Sequence, residues 1–327
     1  LGADMGDIAW RGAQADLMLR TTERYLALAV AQERVRVVER QWQAVSRSRA
    51  EAHDRYQLGA SPITDTHEAD AALAGVRAQQ SAAELELSVQ RDRLAGSTGL
   101  AQPRARLPLA PLAPVEALPF WLAAAESDNP RLRLLAQAVA LAEQKLRQHS
   151  VAGRATLDLV AQAGHERIAG GGDFGSARNR SLNGMVGVQL NIPLYTGGMR
   201  EAQEREAAER LNQAMAELEL AREDVAQQVR ATWQGLQTGA ARLAALQEGL
   251  VASRARLDAT RLGREVGDRT TLDVLNAENA QADAELALAQ ARSDQVLTRL
   301  RLAALADRLD EALLTQVDAT LAPEVPR

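Results

Sequence analysis

Cysteine is absent from this chain of 327 residues, which excludes disulfides and thiolate metal sites. Aromatic residues make up only 3%, although 46% of residues are hydrophobic, mostly Ala, Leu and Val. A compact core of this size draws on Phe, Tyr and Trp, which bury the most area per residue. Their scarcity, beside abundant Ala, Leu, Glu, Gln and Arg, points to long helices packed through thin seams. An excess of positive charge is missing too. The net charge is -5 and the isoelectric point is near 5.6, which argues against nucleic acid as a partner, since that needs a basic face. No run reaches the roughly 18 apolar residues of a membrane-spanning helix. The chain opens on Leu1 rather than Met and shows no signal peptide; a removed precursor segment and a secreted origin are compatible with that.

Catalytic constellations are also lacking. No Ser/His/Asp, Cys/His or paired-carboxylate set has the spacing that catalysis needs, so an enzyme is not expected. Residues 170–175 satisfy the G-x-G-x-x-G spacing, but no helix or βαβ unit follows, and no cofactor is expected. His53 and His67 flank a predicted turn and are read as solvated. His149 and His165 stand alone, so no metal site is expected. Asn179-Arg-Ser181 is a sequon of the kind chance supplies.

Proline placement sets out the architecture. Residues 1–61 have none, seven of the ten fall from Pro62 to Pro130, and after Pro193 none appears until Pro323. Proline-free runs of that length suit uninterrupted helix. From Leu211, alternate steps of four and three residues read Leu211, Met215, Leu218, Arg222, Val225, Val229, Thr232, Leu236, Gly239, Leu243, Leu246, Leu250, Ser253 and Leu257, of which ten are large and apolar. This seven-residue repeat predicts a left-handed coiled coil over Arg200–Leu262. Further helices are predicted over Asp7–Gln57, Thr64–Leu94, Arg131–Gln148 and Thr271–Leu313, the last with Leu272, Leu275, Ala282, Leu286, Ala289, Val296 and Leu300 on one seam. Leu107–Leu118 reads as an irregular connector.

The two long helix pairs read as copies. Sliding the chain by 208 residues lands Gly59 on Gly267, Asp65 on Asp273, Tyr25 on Trp233, and Arg93-Leu94-Ala95 on Arg301-Leu302-Ala303. Gly59 and Gly267 fit helix ends that need positive φ. Asp65 and Asp273, at the start of the following helices, suit the positive dipole end there, so capping competes with a functional role for both.

Residues 154–198 differ in kind. Leu157, Leu159, Ala161 and Ala163 alternate with Asp158, Val160, Gln162 and Gly164. Val186, Val188, Leu190, Ile192 and Leu194 alternate with Gly187, Gln189, Asn191 and Pro193. Period-two alternation over nine to eleven residues is what a transmembrane barrel strand needs. The second apolar set is therefore expected to face lipid, with residues 166–184 as an exposed loop. One hairpin leaves unpaired edges in a bilayer, so other chains or strands must close it.

The stretch Gly187-Val-Gln-Leu-Asn-Ile-Pro-Leu-Tyr-Thr-Gly-Gly198 resembles the strand-to-helix passage of TolC-type outer-membrane efflux and secretion channels. Gly267-Asp-Arg-Thr-Thr-Leu-Asp-Val-Leu-Asn-Ala277 resembles their second inter-helix turn, and Leu58-Gly-Ala-Ser-Pro-Ile-Thr-Asp65 its counterpart in the first repeat. The resemblance implies a mainly α fold with a transmembrane β-hairpin: long antiparallel coiled-coil helices that form an α-helical barrel, with a β-barrel contribution, in a homotrimer. On this reading residues 1–102 are the first helix pair, 103–153 an equatorial connector and shorter helix, 154–198 the transmembrane hairpin, 199–320 the second helix pair and 321–327 a tail. The family normally supplies two hairpins per protomer, and only the second is seen; the signal peptide and first two strands are missing from the sequence read.

The resemblance further implies an exit duct in the outer membrane of a Gram-negative bacterium, reaching into the periplasm. It would work with a periplasmic membrane-fusion adaptor and an inner-membrane ABC or proton-driven transporter, and contact outer-membrane lipid. The Arg269-Thr-Thr-Leu-Asp-Val-Leu275 pattern leans toward type I secretion. By match, the periplasmic gate holds Asp65, Arg264, Arg269, Asp273 and Asn276. The family's prototype has Tyr where Arg264 stands and an acid where Asn276 stands. An ion pair from Asp65 to Arg264 or Arg269 is expected to hold the closed state, and a ring of Asp273 side chains would favour cations. The competing reading is a soluble coiled-coil scaffold or a periplasmic adaptor. An adaptor would need lipoyl-like and β-barrel modules, which the sequence lacks.

Overall fold

The computed structural model describes residues 2–110, 113–151, 156–172, 175–192, 195 and 197–321. Among them are helices α1 (Gly2–Gln57), α2 (Ile63–Thr98), α3 (Leu118–Asp128), α4 (Pro130–Val151), α5 (Met199–Glu265), α6 (Thr271–Leu305) and α7 (Glu311–Ala319), with strands β1 (Thr156–Gly172) and β2 (Gly175–Asn191) between α4 and α5. The chain divides into two compact units. One holds Leu134–Leu220, the other Gly2–Arg133 with Ala221–Arg327.

The larger unit is built on α1. Val38 and Val45 of α1 pack on Leu73, Val76 and Ala83 of α2 and on Leu275 of α6. Along the same helix, Ala15 and Leu26 meet Val296, Leu300 and Ala303 of α6, with Leu309 and Val317 completing the cluster. The predicted α5 seam is the buried one. Val225, Val229, Leu236, Leu250 and Leu257 are buried, and Thr232, Gly239, Leu243, Leu246 and Ser253 are half-buried. Before it the register drifts by one residue, with Ala221 buried and Arg222 exposed, as expected where 3.6 residues per turn meet a repeat of seven. At Gly239 the missing side chain leaves room for Gln295 of α6, whose amide donates to the Leu236 carbonyl at 3.1 Å.

Two expectations change. The helix predicted over Thr271–Leu313 ends at Leu305, because Asp307 adopts a positive φ of 53° and Asp310 caps a separate helix by accepting from the Leu313 N–H at 2.8 Å. The connector ends where expected, but it leads into a helix not predicted from the sequence: α3 starts at Leu118 with Pro119 in its first turn, where a missing N–H costs nothing.

The internal repeat is written into the backbone. Ala60 N–H donates to Arg55 O and Asp268 N–H to Gly263 O, both at 2.8 Å, the same Schellman closure 208 residues apart. Gly59 and Gly267 have φ of 70° and 86°. Gly99, φ 74°, and Asp307 form another positive-φ pair at this offset. Tyr25 and Trp233 each anchor the connector: the Tyr25 hydroxyl accepts from the Arg106 N–H, and the Trp233 indole donates to the Glu116 carbonyl, both at 3.0 Å.

In the smaller unit β1 and β2 form one antiparallel hairpin, with Leu157 opposite Leu190, Leu159 opposite Val188 and Ala161 opposite Val186. Opposed residues share a face, so the two apolar sets read from sequence form one ladder. Its large members are exposed, from Leu190 at 60% to Val186 at 78%. Ile192 lies just past β2 and is also exposed; Leu194 and Pro193 lie outside the described residues. The expected loop over 166–184 is instead paired strand, through to Gly172 opposite Gly175. Backbone pairing does not require an apolar face, so the end of alternation was a poor marker of the end of the strand. Seventeen residues per strand extend about 57 Å, well beyond the 9–11 residues that cross a bilayer. The G-x-G-x-x-G spacing falls at this hairpin end, between two strands and without a helix.

Candidate functional site at the helix-turn end

At the end of the larger unit where α1 turns into α2 and α5 into α6, three of the five residues singled out for the gate make separate contacts: Asp273 with Thr270, Asp65 with Thr271 and Arg264 with Glu51. Thr270 precedes α6 and closes a capping box. Its hydroxyl accepts from the Asp273 N–H at 3.1 Å, while Asp273 Oδ2 accepts from the Thr270 N–H at 2.9 Å. These bonds from Thr270, with a smaller contribution from Arg269, hold the Asp273 carboxyl below its usual range. In the first copy the equivalent position is Pro62, which offers no side-chain cap. Asp65 has no such role and reaches across to the second turn, accepting from the Thr271 hydroxyl at 3.3 Å.

Arg264 continues the α5 seam seven residues after Leu257, so it is 8% exposed. It pairs with Glu51 of α1 at 3.0 Å, and its second terminal nitrogen is buried without a hydrogen-bond partner. Within one protomer, then, Arg264 takes Glu51 and Asp65 takes Thr271, in place of the expected Asp65–arginine pair. Arg269 is exposed and folds back over Gly263, where an added Cβ would come within 2.8 Å of Arg269 Cγ. Asn276 is exposed on α6. Sequence reasoning missed Glu51, because nothing local marks which carboxylate on α1 faces a seam arginine on α5. It also missed Glu278. No group of His, Cys, Asp and Glu able to hold a metal occurs among the described residues, where His53 bonds Gln57 at 2.9 Å and His67 is exposed.

The sequence profile of outer membrane efflux proteins matches residues 121–307. The chain belongs to that family. TolC of Vibrio cholerae serotype O1 is 28% identical over 331 residues, covering 98% of this chain and 74% of that protein. The alkaline protease secretion protein AprF of Pseudomonas aeruginosa is 28% identical, covering 96% of this chain and 66% of its own length. The outer membrane protein VceC of Vibrio cholerae superposes with a TM-score of 0.75 at 18% identity over 94% of this chain and 73% of that one, which shows the shared fold. As an outer membrane efflux protein the chain resides in the outer membrane of a Gram-negative bacterium, and no described helix is long and apolar enough to cross a membrane.

In this family member further ion pairs lie along the helices beyond the turns. Glu285 of α6 is bridged by Arg40 of α1 and, at 3.1 Å, by Arg254 of α5. Burial pushes its carboxyl up, but Gln281, Arg254 and Arg40 together bring it below the usual value. Glu278, seven residues nearer the turn, is 7% exposed and accepts from Arg261 at 3.2 Å. Burial raises its carboxyl above the ordinary range, and Arg261 offsets only part of that.

Proposed function

We propose that this chain is one protomer of a homotrimeric exit duct that exports protein or small molecules across the periplasm and outer membrane and catalyses no reaction. Residues 1–102 and 199–320 supply the helices of an α-helical tunnel, and residues 154–198 contribute a hairpin to a β-barrel. The observation that carries this reading is the ladder of Leu157, Leu159, Val186, Val188 and Leu190 exposed along one hairpin face. Such a face suits lipid, and a soluble scaffold has no use for it. In sequence, Ile192 and Leu194 continue the same alternation. The helix-turn end is the periplasmic gate, with Asp65, Arg264, Arg269, Asp273 and Asn276 at its mouth. A periplasmic adaptor and an inner-membrane ABC or proton-driven transporter complete the pathway. AprF and PrtF, relatives named for protease secretion, support the lean toward type I secretion.

The full-length product, extracted from outer membranes in mild detergent, is expected to run as a trimer. A monomer or dimer that needs no detergent leaves a coiled-coil scaffold as the better reading. In planar bilayers the Arg264→Ala, Arg269→Ala double variant is expected to conduct more than the wild type, and equal conductance removes these arginines from the gate.

A further inference from the structure

An open pocket of about 300 Å3 lies between α1, α5 and α6, close to the turns. Glu278 lines it and is more than nine-tenths buried. A carboxylate has room for about four acceptor bonds. Glu278 has one, from Arg261 to Oε1, while Oε2 is buried with no partner. The charged groups facing it are Arg261 and Arg264 from α5 and Arg40 and Arg47 from α1, with Glu285 from its own helix. Arg40 is engaged by Glu285, and Arg264 gives one terminal nitrogen to Glu51 while its other terminal nitrogen makes no hydrogen bond, to Glu278 or to any other group. Arg47 is exposed and acts through solvent. The ionised carboxyl is therefore poorly solvated while the three helices stay packed.

We infer that Glu278 is a proton-binding site coupled to the packing of the helix-turn end: the packed helices favour the protonated carboxyl, parted helices release the proton to water, and acid holds this end shut. The gating half of this inference rests on the channel reading above; the proton site itself does not. The rise in the Glu278 pKa caused by burial fits the geometry. Its sign follows from linkage. A carboxyl whose pKa is raised in the packed state binds more protons there than in the parted state. The packed state therefore gains stability as pH falls through the raised value, and the gain levels off below the ordinary carboxylate range. Each unit by which the two pKa values differ biases the equilibrium about tenfold.

Glu278→Gln mimics the protonated carboxyl, and Arg261, half exposed, stays solvated without its partner. In detergent, the full-length E278Q protein is expected to melt above wild type near neutral pH and level with it in acid. A melting difference that does not change with pH, or a variant less stable at every pH, overturns the proton site. In planar bilayers, wild-type conductance is expected to fall on acidification, with E278Q held at the acid level throughout. A wild type and variant with the same pH profile overturn the coupling to opening. A wild type that never conducts defeats the channel reading, and the melting comparison then still decides Glu278.

Discussion

Asp65 and Asp273 stand at matching places in the two copies and do different work, because the residue three positions before each differs. Thr270 gives Asp273 a hydroxyl to complete a capping box, whereas Pro62 leaves Asp65 free to bind across to Thr271. Thr270→Ala is expected to lower unfolding free energy by about 1 kcal/mol, measured by denaturant titration. The Asp273 pKa is depressed, so its contribution is present above the unfolded value and lost as pH falls through the folded one. The Thr270→Ala deficit is therefore expected to shrink in acid. Arg264 behaves oppositely to a cap. As a seam residue with one exposed partner, it gives little net stability, since desolvating a guanidinium costs about what the pair returns. Arg264→Met is expected to keep or raise the melting temperature. Glu51→Ala strands a buried cation and is expected to cost about 1–3 kcal/mol. Equal losses from both substitutions in thermal melts would show that the ion pair itself dominates.

At the scale of elements, α5 is a single helix of 67 residues, about 100 Å at 1.5 Å per residue. No internal core could hold it straight, so it relies on a seam. Val229 of that seam and Leu300 of α6 are among the most buried side chains. Leu300→Ala, in the cluster shared by α1, α6 and α7, is expected to cost about 2–5 kcal/mol. Val251→Ala, on the exposed side of α5, is expected to change stability by less than about 0.5 kcal/mol. The contrast is checked by paired denaturation curves. Gly239 was legible in sequence only as a gap in the seam; its use, as the place where Gln295 reaches the α5 backbone, depends on a residue 56 positions away. The end of α6 was misread for a related reason. Glycine advertises positive φ, and Gly99 does so, whereas Asp307 adopts the same conformation with a side chain that also pairs with Arg11 at 3.5 Å.

For the whole molecule, the hairpin separates the duct from a scaffold. An arginine on the apolar ladder is expected to block membrane assembly, at a cost of about 2–4 kcal/mol near the midplane. Val188→Arg should therefore reduce the protein recovered in outer-membrane fractions, while Gln189→Arg on the opposite face should not. Equal recovery would place the ladder outside lipid. Periodicity, proline spacing and the offset of 208 residues by themselves determined that the chain is helical, duplicated, seamed along α5 and interrupted by a strand pair with one apolar face. Those are short-range or repeating features, and the chain's own geometry expresses them wherever it folds. Where β1 and β2 stop pairing was decided by backbone register, which carries no side-chain signature in the polar half of the hairpin. Only the tertiary structure decided that Arg264 meets Glu51, that Asp65 meets Thr271 and that Glu278 is buried with one oxygen unpaired. The axial offset between neighbouring helices chooses such partners, and that offset is set by the packing of all the seams at once.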